Sequence, residues 1–447
     1  MTSRRSWIGL GAIVALYLVI GTLYAMNTPA WQVPDEPAHY NYIRYVAQTG
    51  TLPVLHVGDY DQAYLSRLTS EKFPPDLPVD SVRYEAWQPP LYYVLAAPIF
   101  LLFGGALLPL RLFSLALGAG VVLFTFVTAR EISTHPRMNL LALAAAGFVA
   151  FVPQHVAMLA GVNNDSLSEL LIAIGLWLIL RELPMRRGGW ALGIVMALAV
   201  VTKSLAYLLI PVTAGMLFLT WRRGRLSGGP LTFWRLLALF GPALLVGLVW
   251  WGRNVAVYGW PDVMATIRHN TVVADQPRTS QWLVEYGTFE LARRFVVTSF
   301  QSFWGQFGWM GVVMDRRVYL ALLAYSAGLA LGAGWAAGRH YRDLIPFERD
   351  GVKILLACIF FTVALYLYYN LTFVQHQGRY LFPALIPIAL AAVVGLWQWA
   401  AWIIAALRLK APGVRAAVEA AAVLAPVALM AVLDVFALYR FILPALT

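Results

Sequence analysis

Residues 31–46 read WQVPDEPAHYNYIRYV. They follow an apolar run, Ser6 to Met26, that is preceded by Arg4 and Arg5. That run is about 20 residues long, enough to span a bilayer. It lacks the small-residue cleavage site of a signal peptide, so it reads as the first transmembrane helix. The quoted stretch itself looks like a helix start, with carboxylates in the first turn, a proline beside them and Gly50 at the far end. An acidic pair where the chain leaves an apolar segment has two readings, a helix cap and an active site. Local sequence does not choose between them.

Working outward, the chain has 447 residues, 60% hydrophobic and only 12% charged. A soluble protein carries about 25% charged residues, so this composition indicates an all-α polytopic membrane protein. The net charge of +11 does not point to nucleic acid, because the basic residues sit mostly in short loops between apolar runs. That is the pattern of the positive-inside rule. The single Cys358 excludes an intrachain disulfide, and no Cys/His spacing suggests a metal.

Apolar runs at 7–26, 107–129, 139–160, 167–183, 190–202, 205–221, 233–252, 317–338, 352–373, 380–405 and 416–438 give about eleven expected spans. With the N-terminus inside, every inside loop is basic or mixed-basic. The chain then reads as one membrane-embedded domain, 1–447, with no separate soluble domain. Two long outer segments, 27–109 and 253–317, hold most of the carboxylates. Within the first, PPLYYVLAAPIFLLFGG (89–105) is marginal for spanning and contains Pro98. It is expected as an interfacial helix with Tyr92 and Tyr93 at headgroup level.

Several residues at span ends are candidates for chemistry. On a helix beginning at Asp35, positions i, i+4 and i+7 place Asp35, His39 and Tyr42 on one face, and Glu36 about 100° away. Asn164 and Asp165 lie in the next outer turn, where Asp165 reads equally as a cap. Lys203, between two short apolar runs, suits either snorkelling or phosphate pairing. Arg253 and Arg379 suit bidentate phosphate contact, or ordinary lipid headgroups. In SFQSFWGQFGWMG (299–311), Trp304 and Gln306 fit a sugar platform or an interfacial aromatic belt. Asp59 and Asp61 spell D-x-D, a spacing with a low prior for a divalent metal.

Taken in order, PDEPAHYNYIRYV, QPPLYY, an apolar half-span ending LFGG, an Asn-Asp-Ser turn, T-K-S, Arg-Asn with Tyr-Gly, and GRYLFP form a recognisable series. It resembles the GT-C superfamily of membrane glycosyltransferases. The order of motifs looks like the protein O-mannosyltransferase and lipid A aminoarabinose transferase branch. SFWGQFGW with QGRYLFP looks closer to a related group of bacterial membrane proteins of unassigned substrate. The resemblance runs from about residue 7 to 405.

It implies a polyprenyl-phosphate-sugar donor, a lipid or glycan acceptor, and action on the outer face of the bacterial cytoplasmic membrane, by a monomer with no cofactor. Asp35 would be the catalytic carboxylate and Glu36 its partner. Lys203, Arg379 and Arg253 would meet the donor phosphate. His39, Tyr42, Gln88, Tyr92, Asn164, Asp165, Trp304, Gln306 and Tyr380 would line the substrate site. A lipid transporter or flippase is the rival reading, although no internal repeat is visible and only Glu419 and Asp434 look unusual within a span.

Overall fold

A computed structural model of the chain describes residues 3–133, 137–182, 189–222 and 233–447. Helix α1 (Ser3–Asn27) leads into a long segment folded as α2 (Glu36–Thr49), α3 (Gln62–Ser70) and α4 (Leu91–Leu102). Then come α5 (Leu107–Ile132), α6 (Met138–Ala150), α7 (Pro153–Leu159), α8 (Asp165–Glu182), α9 (Trp190–Val200), α10 (Leu209–Arg222) and α11 (Phe233–Tyr258). The second long segment carries α12 (Thr266–Val272), α13 (Thr279–Trp304) and a two-stranded hairpin, β1 (Gln306–Phe307) with β2 (Val312–Val313). Helices α14 (Arg316–His340), α15 (Pro346–Asn370), α16 (Leu385–Ala406) and α17 (Pro412–Ala437) complete the bundle.

Among the described residues, eight helices are long and apolar enough to cross a membrane, or nine if α6 and α7 form one span bent by 63°. By length and composition, the expected count of eleven is not confirmed among the described residues. The two remaining segments fail for physical reasons. Helix α9 has only 11 residues, about 16 Å of rise. Helix α8 has 18 but carries Asp165, Glu169, Arg181 and Glu182. The short α4, with Pro98 inside it, is a 12-residue helix as expected for 89–105. Parts of three of the basic loops lie outside the described residues.

The bundle is assembled around α5, which packs on α1, α6 and α8, and around α16, which packs on α6, α14 and α17. Small residues make the close approaches. Ala142, Ala144, Ala145 and Ala146 of α6 are fully buried, as expected where helices associate by surface fit rather than by water exclusion. A separate apolar cluster, with Leu68, Phe73, Tyr84, Val273 and Phe373, ties the two long segments to the residues after α15.

Two contacts fix how the long segments meet the bundle. Glu36, fully buried, receives Arg111 Nε at 2.7 Å and Nη2 at 2.6 Å. Arg111 also donates to the carbonyls of Ala25, Thr28 and Pro29. Glu36 further accepts the backbone N–H groups of Trp31 and Val162. One buried pair thus joins the end of α1, the start of α2, α5 and the turn before α8. The other contact is backbone on backbone. A Cβ on Gly378 would lie 2.3 Å from Phe303 N and 2.3 Å from Ser299 O. Gly378 N–H donates to Ser302 Oγ at 2.7 Å. Gly378 thus makes a close backbone approach to α13.

Arg111→Ala should lower stability by about 3–5 kcal/mol, because it leaves Glu36 charged and buried without its counterion. The double variant Glu36→Gln, Arg111→Met should lose less than Arg111→Ala alone; thermal unfolding in detergent measures both. Gly378→Ala should cost on the order of 1–3 kcal/mol by overpacking, and Gly378→Ser should cost no less.

Candidate functional site

Asp35 lies just ahead of α2, with left-handed backbone (φ 67°), and its side chain makes no cap bond. It therefore does not share a helical face with His39 and Tyr42, as a helix starting at Asp35 would require. The left-handed turn instead aims the carboxylate away from Glu36. Oδ2 accepts from Arg379 Nη2 at 2.6 Å, and Oδ1 accepts from Tyr84 OH at 2.7 Å. The Arg379 side chain is 8% exposed and that of Asp35 22%, so the pair is sheltered but reachable. Arg379 is carried by a 3₁₀ turn, Gly378–Ala384, that precedes α16. Its Nε has no partner among the described residues.

A second ion pair stands nearby. Lys203 Nζ donates to Asp165 Oδ1 at 2.5 Å and to Asn164 Oδ1 at 3.1 Å. Lys203 occupies the break between α9 and the 3₁₀ turn Ser204–Leu208, where the interrupted helix exposes its side chain to the cluster. Asn164 reaches Thr202 O and Gln88 Oε1, so the strand of chain before α4 is joined to both. Leu91 N–H donates to Val201 O at 2.9 Å, which anchors α4 beside Lys203. The arrangement brings residues from five separate parts of the sequence into one polar cluster within an apolar protein.

The electrostatics follow from burial and from these pairs. Burial alone would raise the Asp35 carboxyl, but Arg379, His39 and the Tyr84 hydroxyl outweigh it and hold the group below the usual carboxylate range. His39 is pushed down to about 3, chiefly by burial, and is neutral near pH 7. It is hydrogen-bonded through Nδ1 to Tyr93 OH at 2.9 Å. Glu85 goes the other way. Burial and then the charge of Asp35 push it up to about 7.

The remaining candidates divide. Tyr42 stacks on Tyr93 at 3.6 Å between centroids and donates to Gln88 O, so it supports the cluster from behind. Tyr380 lies beside the Arg379 guanidinium, 5.4 Å from its ring centroid. Tyr92, like Tyr93, does not face outward. It is fully buried, with its hydroxyl 2.7 Å from Ser114 Oγ. Glu36 has its oxygens taken by Arg111 and two backbone N–H groups, which makes it an anchor rather than a substrate contact.

Arg253 donates to Pro53 O at 2.6 Å and lies over the rings of Trp250 and Tyr258. It fastens the first long segment to α11. Trp304 is a core residue, bonded to Ser326 and packed on Phe148 and Tyr325. Gln306 closes the hairpin through Met310 O and takes Gln154 Oε1 on its N–H. The aromatic stretch is thus a brace, and Trp309 at its tip donates to Trp31 O. Asp59 is held by Arg83 and His56 N–H, and Asp61 caps α3 through Tyr64 N–H. No cluster of three or more His, Cys, Asp or Glu side chains suited to a metal occurs among the described residues.

Sequence reasoning missed Arg111, Tyr84 and Glu85, and it read Tyr93 as a headgroup-level residue rather than as the partner of His39. Arg111 had a usable signal, an arginine inside an apolar run, which is costly unless paired. Tyr84 and Glu85 had only their place just before QPPLYY.

The fold has solved counterparts. ArnT from Cupriavidus metallidurans in the apo state aligns with a TM-score of 0.52 and 15% identity, over 100% of this chain and 74% of ArnT. The same protein bound to undecaprenyl phosphate aligns at 0.50 and 14% identity, over 98% and 74%. The Archaeoglobus fulgidus oligosaccharyltransferase in the apo form gives 0.49 and 14%, and this chain spans only 56% of that protein's length. The likeness to ArnT shows the GT-C fold. No curated protein matches the sequence. The family model described as a predicted membrane protein (DUF2142) matches residues 79–388, well over half the chain, and the protein belongs to that family.

Proposed function

We propose that the protein is a membrane glycosyltransferase. It moves a sugar from a polyprenyl-phosphate donor to a lipid or cell-envelope glycan acceptor at the outer face of the membrane. The observation that carries this reading is the Asp35–Arg379 pair standing beside Lys203–Asp165 in a sheltered polar cluster on an apolar bundle. A donor of this class needs a membrane-embedded site for its tail, cations for its departing phosphate and a carboxylate for the acceptor proton. The ArnT structure with undecaprenyl phosphate supports the donor class.

The resting pairs suggest the order of events. The donor phosphate competes with Asp35 for Arg379 and with Asp165 for Lys203, because a guanidinium pairs with phosphate in the same bidentate way as with carboxylate. Arg379 Nε offers it a further donor. Its arrival releases Asp35 Oδ2, which then takes the proton of the acceptor hydroxyl as that oxygen attacks the anomeric carbon. The C–O bond to phosphate breaks, and Arg379 and Lys203 hold the leaving dianion. Attack from the face opposite the phosphate inverts the anomeric centre. Asp35 is charged well below neutrality, so it is in the basic form throughout the physiological range.

Purified protein, polyprenyl-phosphate hexose or pentose and a membrane glycolipid extract provide the test. Asp35→Asn should lower kcat by about 10²–10⁴; a wild-type rate would remove Asp35 from the role of base. Arg379→Ala should weaken undecaprenyl-phosphate binding at least about tenfold, against no change for Arg317→Ala. Equal losses would indicate unspecific attraction to lipid. With two cations supplying the charge at the phosphate, EDTA should leave the rate unchanged. Lost activity restored by a divalent ion would return Asp59 and Asp61 to consideration.

A further inference from the structure

Glu85 is the carboxyl in the cluster that is not spent. Asp35 has both oxygens bonded, Asp165 holds Lys203, and Glu36 is locked to Arg111. Glu85 Oε2 is buried and has no hydrogen-bond partner among the described residues. A buried carboxyl oxygen without a partner costs stability, and such a cost persists where a ligand supplies the missing bond. The place of the residue is set by its neighbours. Tyr84, one residue before it, bonds Asp35, and Gln88, three residues after it, reaches Asn164. Its charged neighbours are Asp35 and Asp165 on the acidic side and Lys203 on the basic side, with Gln88 in hydrogen-bonding reach. The hydroxyl-bearing rings of Tyr93, Tyr369 and Tyr380 also sense its charge.

We propose that Glu85 reads the sugar: its free carboxylate oxygen accepts hydrogen bonds from hydroxyl groups of the sugar carried on the donor phosphate. This rests on the donor reading given above. A phosphate held by Arg379 and Lys203 places the sugar bonded to it within a few ångströms of both cations, and Glu85, which feels the charge of Lys203, carries the unpartnered acceptor of the cluster. Buried carboxylates pair well with vicinal hydroxyls because each oxygen accepts along two lone pairs. Because burial and the charge of Asp35 push Glu85 up to about 7, it is protonated below that pH and a full acceptor above it. Recognition of the sugar therefore strengthens as pH rises through neutrality.

The test compares binding of undecaprenyl phosphate with binding of undecaprenyl-phosphate glucose, mannose and arabinose to the full chain in detergent. At least one sugar-bearing lipid should bind the wild type more tightly than the bare lipid, and this increment should grow from pH 6 to pH 8. Glu85→Ala should reduce the increment about tenfold or more and leave bare-lipid affinity unchanged. Glu85→Gln, close to isosteric, should keep part of the increment and lose its pH dependence. The assignment is overturned if the wild type prefers no sugar-bearing lipid. It is also overturned if either variant keeps the wild-type increment and pH profile, or if bare and sugar-bearing lipids weaken together. If the wild type binds none of the four, the donor reading itself fails.

Discussion

Two adjacent carboxylates cannot both be satisfied from one direction, and the buried Glu36–Arg111 pair resolves which goes where. Arg111 stands inside an apolar helix, where an unpaired guanidinium is not tolerated. It draws Glu36 into the bundle and gathers three carbonyls from the end of α1. With Glu36 committed, the left-handed turn at Asp35 swings the neighbouring carboxylate the other way, towards Tyr84 and Arg379. The clamp orients the site without belonging to it.

What results is a site at rest in a closed electrostatic state. Each of the two cations best suited to phosphate is already held by a carboxylate. Such pairs offset the cost of sheltering charge. His39, kept neutral by burial, adds no competing positive charge. The two carboxyls on one short stretch of space, Asp35 held low and Glu85 held high, are set apart by environment alone, as divided roles require.

The second long segment serves this site by shape rather than by chemistry. Its aromatic stretch holds the bundle through Trp304 and the first segment through Trp309. Helix α13 presses its backbone against Gly378, which seats the turn bearing Arg379. Arg253 performs a similar service by holding Pro53. Rings and arginines at a membrane boundary look alike in sequence whether they bind a sugar, a lipid or their own chain. Only their partners distinguish them.

Composition and hydropathy were enough to indicate a helical membrane protein and a short helix within 89–105, because burial in lipid demands long apolar runs and punishes departures from them. The order of Asp35, Asp165, Lys203 and Arg379 along the chain was also visible, but not their meeting, since residues up to 344 positions apart are joined by the folding of the bundle. The spans expected at α8 and α9 are the two not confirmed, because apolar content alone does not register helix length or charge. Which of two neighbouring acids faces the site, that Tyr92 is buried in the bundle, and which carboxyl is left open were decided by tertiary structure. Each depends on where one partner, Arg111, Ser114 or Arg379, sits in space.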